Sequence, residues 1–152
     1  MGLDQYLKAE RYLSPASHYG DDVNEAFHAV RKILDVELDS DYPSIAVRCT
    51  VGYWRKANAI HSWFVENVQG GVDECQDAYV SREKLAELLN TCEQVLGDHN
   101  LANDLLPTES GFFFGSTEYD EWYFGSLEET ITIIKNALAL DNDYDFSYQS
   151  SW

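Results

Sequence analysis

The chain has 152 residues and a mass of 17.4 kDa, with 45% hydrophobic and 14% aromatic residues. That suits one domain burying about 68–70% of its unfolded surface and excludes wholesale disorder. Its 27 Asp and Glu against 10 Lys and Arg leave a net charge of −17, which argues against direct nucleic-acid binding and against docking on anionic membranes, because both need a basic patch.

In chain order, residues 3–13 suit a strand or a helix, and the short edge-like run favours a strand. Asp22 and Glu25 resemble a capping box, and Val23, Ala26, Phe27, Val30, Ile33 and Leu34 then predict a helix over about 23–36. The β-branched run 44–51 predicts a strand, and 53–69, stopped by Gly70-Gly71, predicts a helix. On that helix Trp54, Asn58 and His61 share an edge. An acidic loop follows, with a short strand at 78–80. Ser81 caps the clearest amphipathic helix, built on Leu85, Leu88, Leu89, Cys92, Val95 and Leu96. Residues 98–110 read as loop, Phe112–Phe114 as a buried strand, and Ser126 with Glu129 as a second capping box before a helix over about 127–139. Residues 141–152 are acidic and aromatic without a period, as in a tail. The fold class expected is α+β, with about four helices on a small sheet, as a single domain over 1–140 with a tail over 141–152.

No apolar run approaches the roughly 18 residues of a spanning helix, and Met1-Gly2-Leu3-Asp4 lacks signal-peptide regions. The expectation is a cytoplasmic protein with no membrane segment. Cys49, Cys75 and Cys92 show no zinc spacing; Cys49 and Cys92 read as buried apolar residues and Cys75 as a poor nucleophile among acids. There is no GxGxxG, GxxxxGK[ST], GxSxG or HExxH pattern, so the residues imply no cofactor, metal site or catalytic set.

Two segments are chemically dense. The first, 53–64, carries Trp54, Arg55, Asn58 and His61; the second, 111–124, holds seven aromatics and three acids, with Ser116, Thr117 and Tyr119 beside Glu118, Asp120 and Glu121. If they meet, Trp54, Arg55, Asn58, His61, Ser116, Thr117 and Tyr119 form a pocket for a small molecule or nucleotide, with His61 as acid or base and Glu118 or Asp120 as its partner. Residues 71–152 carry 17 acids and 3 bases, a local net of −14. That half steers toward a basic partner, with Glu118, Asp120, Glu121, Asp141, Asp143, Asp145 and Trp152 as contacts. A homo-oligomer burying the spare aromatics is a third reading.

The stretches MGLDQYL, GYWRKANAIHSWFVENVQGGVDEC, YVSREKLAELL and LLPTESGFFFGSTEYDEWY resemble a family of small proteins encoded by bacteriophages and prophages. The resemblance leaves gaps at about 14–43 and 141–152. The family has no settled activity, so it implies no catalytic residues. It implies a viral accessory gene expressed in a bacterial cytoplasm. By analogy with other small acidic phage proteins, the expected function is inhibition of a host nucleic-acid-binding defence complex of the CRISPR or restriction kind.

Overall fold

The computed structural model describes residues 2–16, 20–38 and 41–152. Among them the chain is α+β: strands β1 (Asp4–Leu13), β2 (Ile45–Arg55), β3 (Ala78–Val80) and β4 (Asp145–Ser151), and helices α1 (Asp21–Leu34), α2 (Asn58–Asn67), α3 (Arg82–Gly97), α4 (Ala102–Leu105) and α5 (Glu121–Leu138). The sheet order is β2-β1-β4-β3, and β3 runs antiparallel to β4 with Tyr79 opposite Ser147. Two compact units are distinguished, one of residues up to Ala9 with Thr50–Trp152, the other of Glu10–Cys49.

The smaller unit centres on Leu13, Val23 and Phe27, with Ile45 and Val47 against them. Its helix α1 places Asp21 and Asp22 in the first turn and Arg31 and Lys32 in the last, matching the helix dipole. The capping box expected of Asp22 and Glu25 does not form. The N-cap is Gly20, without a side-chain cap, and Asp22 pairs instead with Arg11 at 3.4 Å. Cys49 is exposed rather than buried.

The larger unit holds the main core, in which Trp54, Phe64, Leu85, Leu127, Ile134, Phe146 and Tyr148 pack together. Strand β2 runs four residues beyond its expected end, so the helix expected from residue 53 starts only at Asn58. Gly52, Trp54 buried and Tyr53, Arg55 exposed is the alternation of a half-covered strand. Gly52 is needed there: a Cβ on it would sit 2.4 Å from Ile133 Cγ2 of α5. The chain then turns sharply. Lys56 adopts φ 57, Ala57 is the centre of a three-residue turn closed by Asn58 N–H to Lys56 C=O at 3.0 Å, and α2 follows. That turn is an inverse γ-turn at Ala57.

Helix α3 is capped as expected, Ser81 Oγ accepting from Lys84 N. Its first residue, Arg82, donates to the carbonyls of Leu138, Leu140 and Asp141, which satisfies the open C-terminal end of α5. Helix α5 begins six residues before the expected start. Asp120 caps it, Oδ1 accepting from Trp122 N and Tyr123 N at 3.0 and 3.1 Å. Ser126 lies inside the helix and its hydroxyl donates to Tyr123 C=O. Tyr123, Leu127, Thr130, Ile134 and Ala137 form its buried stripe, and it packs along α3. Phe112–Phe114 form a turn rather than a strand, with Phe112 95% exposed. Residues 141–152, expected as a tail, contain β4, whose Phe146, Tyr148 and Ser150 point into the core. No helix among the described residues is long and apolar enough to cross a membrane.

Candidate functional site

The two chemically dense segments do meet. A cleft of about 870 Å³ opens between the β2–α2 turn and the start of α5. Tyr53, Arg55, Lys56 and Asn58 line one side; Gly115, Ser116 and Glu118 lie in the loop; Glu121, Trp122, Gly125 and Glu129 line the helix side. Of the pocket residues expected from sequence, Arg55, Asn58 and Ser116 line the cleft, while Trp54, His61, Thr117 and Tyr119 do not.

Trp54 is fully buried, its indole N–H donating to Thr130 Oγ1 at 2.9 Å. Because β2 continues through it, Trp54 no longer shares a helix edge with Asn58 and His61. Thr117 gives its carbonyl to Thr108 Oγ1 at 3.0 Å. Tyr119 OH donates to Asn103 Oδ1 at 3.2 Å, and its ring packs edge-on against Tyr123 at 4.9 Å.

Asn58 is only 4% exposed and has its polar atoms engaged. Its Nδ2 donates to the carbonyls of Phe114 (3.1 Å) and Ser116 (2.8 Å), and its Oδ1 accepts from Glu109 N (3.1 Å). It therefore pins the 109–116 loop to α2 and shapes the cleft instead of contacting a ligand.

His61 is 1% exposed and faces Asp73 and Tyr148, not Glu118 or Asp120. The acid–base pairing expected for it is not the one formed. Gln5 Nε2 donates to Ala57 C=O at 3.1 Å, which turns Gln5 Oε1 toward Tyr148 OH, the donor at 3.0 Å. The phenol oxygen also lies 2.8 Å from His61 Nδ1, and Asp73 Oδ2 accepts from His61 Nε2 at 2.9 Å. Burial pushes the Tyr148 hydroxyl well above its ordinary value, with Asp73 and then Cys75 adding to the rise. Phe114 covers the imidazole edge-on at 5.1 Å, and Trp152 Nε1 donates to Asp73 Oδ1 at 3.2 Å. The network ties β1, α2, the acidic loop and β4 together.

The expected acidic contacts divide between the ends of α5. Asp120, its N-cap, lies with Glu118 and Glu121 at the cleft. Asp141, Asp143 and Asp145 lie beyond the helix's other end, after 18 residues, about 27 Å of helix away. The six do not make one patch. Asp120 also spends Oδ1 on the cap. The side-chain carboxylates of Glu118, Glu121 and Glu129 carry no hydrogen-bond or ion-pair partner among the described residues. Trp122 beside them is 86% exposed.

Opposite, Arg55 Nη1 lies 3.9 Å from Asp4 Oδ1, and Tyr53 OH donates to the same oxygen. That hydrogen bond raises the tyrosine above its ordinary value, with desolvation next.

Gly125 sits in the cleft wall in mid-helix, where glycine costs about 1 kcal/mol relative to alanine. A Cβ there would meet nothing within 4 Å among the described residues, so their packing does not require a glycine.

Gly125 and Glu129 were missed as site residues in the sequence. The four-residue steps from Glu121 to Gly125 to Glu129 become a signal only once α5 is known to start at Glu121. Among the described residues no group of three or more His, Cys, Asp or Glu side chains is placed to hold a metal ion.

No protein-family model matches the chain, and no curated protein and no solved structure matches it.

Proposed function

We propose that this protein is a phage accessory protein that binds a basic surface of a host nucleic-acid-binding defence complex in the bacterial cytoplasm, using the cleft as its contact site. The observation that carries the reading is the set of three unpartnered carboxylates, Glu118, Glu121 and Glu129, beside an 86% exposed Trp122. A large exposed indole is an anchor of the kind that dominates interfaces, and free carboxylates complement Lys and Arg. The local net of −14 over residues 71–152 adds long-range steering toward positive charge. Asp141, Asp143 and Asp145 contribute to that field from a distance and not to the cleft.

The test is capture of host proteins on the tagged chain and on a Glu118→Lys/Glu121→Lys/Glu129→Lys variant, washed at about 0.1 M and about 0.5 M salt, where screening shortens the reach of surface charges. A nucleic-acid-handling complex held at low salt, shed at high salt and absent from the variant supports the reading. The same complex held equally by the folded variant refutes it. The cleft volume also falls in the range of small-molecule sites, about 300–1,000 Å³, which favours a polar, ring-bearing ligand as the second reading. A thermal upshift with nucleotides or metabolites, lost in Trp122→Ala, would favour that one.

A further inference from the structure

The feature of α5 left unexplained by its own packing is Gly125. The helix face toward the cleft presents Glu121, Gly125 and Glu129 in a row, each about one turn above the next, so two glutamates whose Cα atoms stand about 12 Å apart along the axis, with flexible side chains that reach toward each other, flank a stretch where the backbone is bare. Among the described residues no side chain and no other segment comes within 4 Å of a Cβ built at Gly125, and Trp122, 86% exposed, also lines the cleft there. Arg55 and Lys56 hold the opposite wall.

We propose that this notch seats the guanidinium of an arginine in an extended basic segment of the partner, a refinement that rests on the function proposed above. A guanidinium is planar, with five N–H donors in a rigid fork, and it lies flush on a surface that a side chain at position 125 would obstruct. Glu121 and Glu129 accept its N–H groups from the two sides as charge-assisted bonds. The Trp122 ring offers its face to the same cation. Arg55 and Lys56 across the cleft meet carbonyl oxygens of the segment and set its direction. A lysine ammonium, compact and strongly hydrated, lacks both the fork and the flat face, so the notch discriminates between the two bases. The glycine's cost to the helix is thereby explained by the ligand, not by the fold.

The experiment is titration of the full-length, nitrogen-labelled protein with hexa-arginine, hexalysine and hexaglutamate peptides at about 0.1 M salt, followed by amide shifts. Hexa-arginine is expected to move the amides of Glu121, Trp122, Gly125 and Glu129 and to bind at least several-fold more tightly than hexalysine. Gly125→Leu is expected to weaken hexa-arginine binding about tenfold while melting no earlier than the parent. Gly125→Ala, which removes a helix-interior glycine with open space around it, is expected to raise the melting temperature and weaken binding by a smaller factor. Equal binding of hexa-arginine and hexalysine, or unchanged affinity in Gly125→Leu, overturns the notch while leaving a basic partner standing. Binding of neither basic peptide, or of hexaglutamate in the cleft, overturns the notch and the proposed function together.

Discussion

Replacing Asn58 by alanine is expected to dismantle the cleft by releasing its loop. The side chain makes three hydrogen bonds, two donated to the carbonyls of Phe114 and Ser116 and one accepted from Glu109 N. Each such bond contributes about 1 kcal/mol net, giving an upper figure near 3 kcal/mol. Glu109 and Ser116 are exposed, so water rehydrates part of what is lost, and about 2 kcal/mol is expected. For a chain of 152 residues that corresponds to a fall in Tm of roughly 4–8 °C. The loss is also local. The loop keeps Leu3 N to Phe113 C=O at 3.1 Å and Phe114 N to Gly111 C=O at 3.1 Å, but not its tie to α2. Hydrogen exchange should therefore accelerate at Glu109, whose amide loses its acceptor, while the amides of α3 hold. Asn58→Asp keeps the shape, sets carboxylate oxygen against two carbonyls and is expected to be worse than alanine. An alanine variant that melts within about 1 °C of the parent, with loop exchange unchanged, would refute the pinning role.

Burial, with Glu93 as a smaller contribution, pushes the Cys92 thiol from 9.0 up to about 12. A raised thiol value favours the neutral form, so stability is intact below about pH 9 and falls toward pH 12, by up to about 4 kcal/mol for this group. Tyr148 acts in the same alkaline direction. Cys92→Ala should flatten that slope in alkaline denaturant titrations, and an unaltered slope would exclude the thiol as its source. In the native protein a thiol reagent should label exposed Cys49 first and Cys92 only after unfolding. Gly52→Ala drives a methyl onto Ile133 and should cost about 1–3 kcal/mol. Combining it with Ile133→Ala should recover part of that in a double-mutant cycle, and strict additivity would show that the two do not touch.

What was legible in the sequence was carried by local signals. The Ser81 cap and the leucine stripe mark α3, and the β-branched run marks the body of β2. The errors have physical causes. Tyr53 and Trp54 fit a helix stripe and a strand alternation equally well, and only the buried indole and Gly52 against α5 settle which period applies. Lys56 takes a left-handed φ that its residue type does not announce. At α5 the Ser126–Glu129 pattern imitates a cap, although Asp120 before Glu121-Trp122 was the available signal. The acids at 141, 143 and 145 mask the two-residue period of Phe146, Tyr148 and Ser150. At the site, Arg55, Asn58 and Ser116 were legible because they flank a turn. His61 and Trp54 were misplaced because their partners, Asp73 and Thr130, lie 12 and 76 residues away.

The sheet order places the first strand against the last, with Lys8 Nζ donating to Gln149 Oε1 and Tyr148 OH to Gln5 Oε1, 141 and 143 residues apart. During synthesis β1 emerges early and waits for β4. At ribosomal rates of about 5–20 residues per second, that wait is on the order of ten seconds or more. Throughout it, one backbone edge of β1 and the apolar Leu7 and Ala9 remain open to other chains. The nascent protein thus passes through an interval in which a chaperone, or another nascent copy, competes with β4 for that edge.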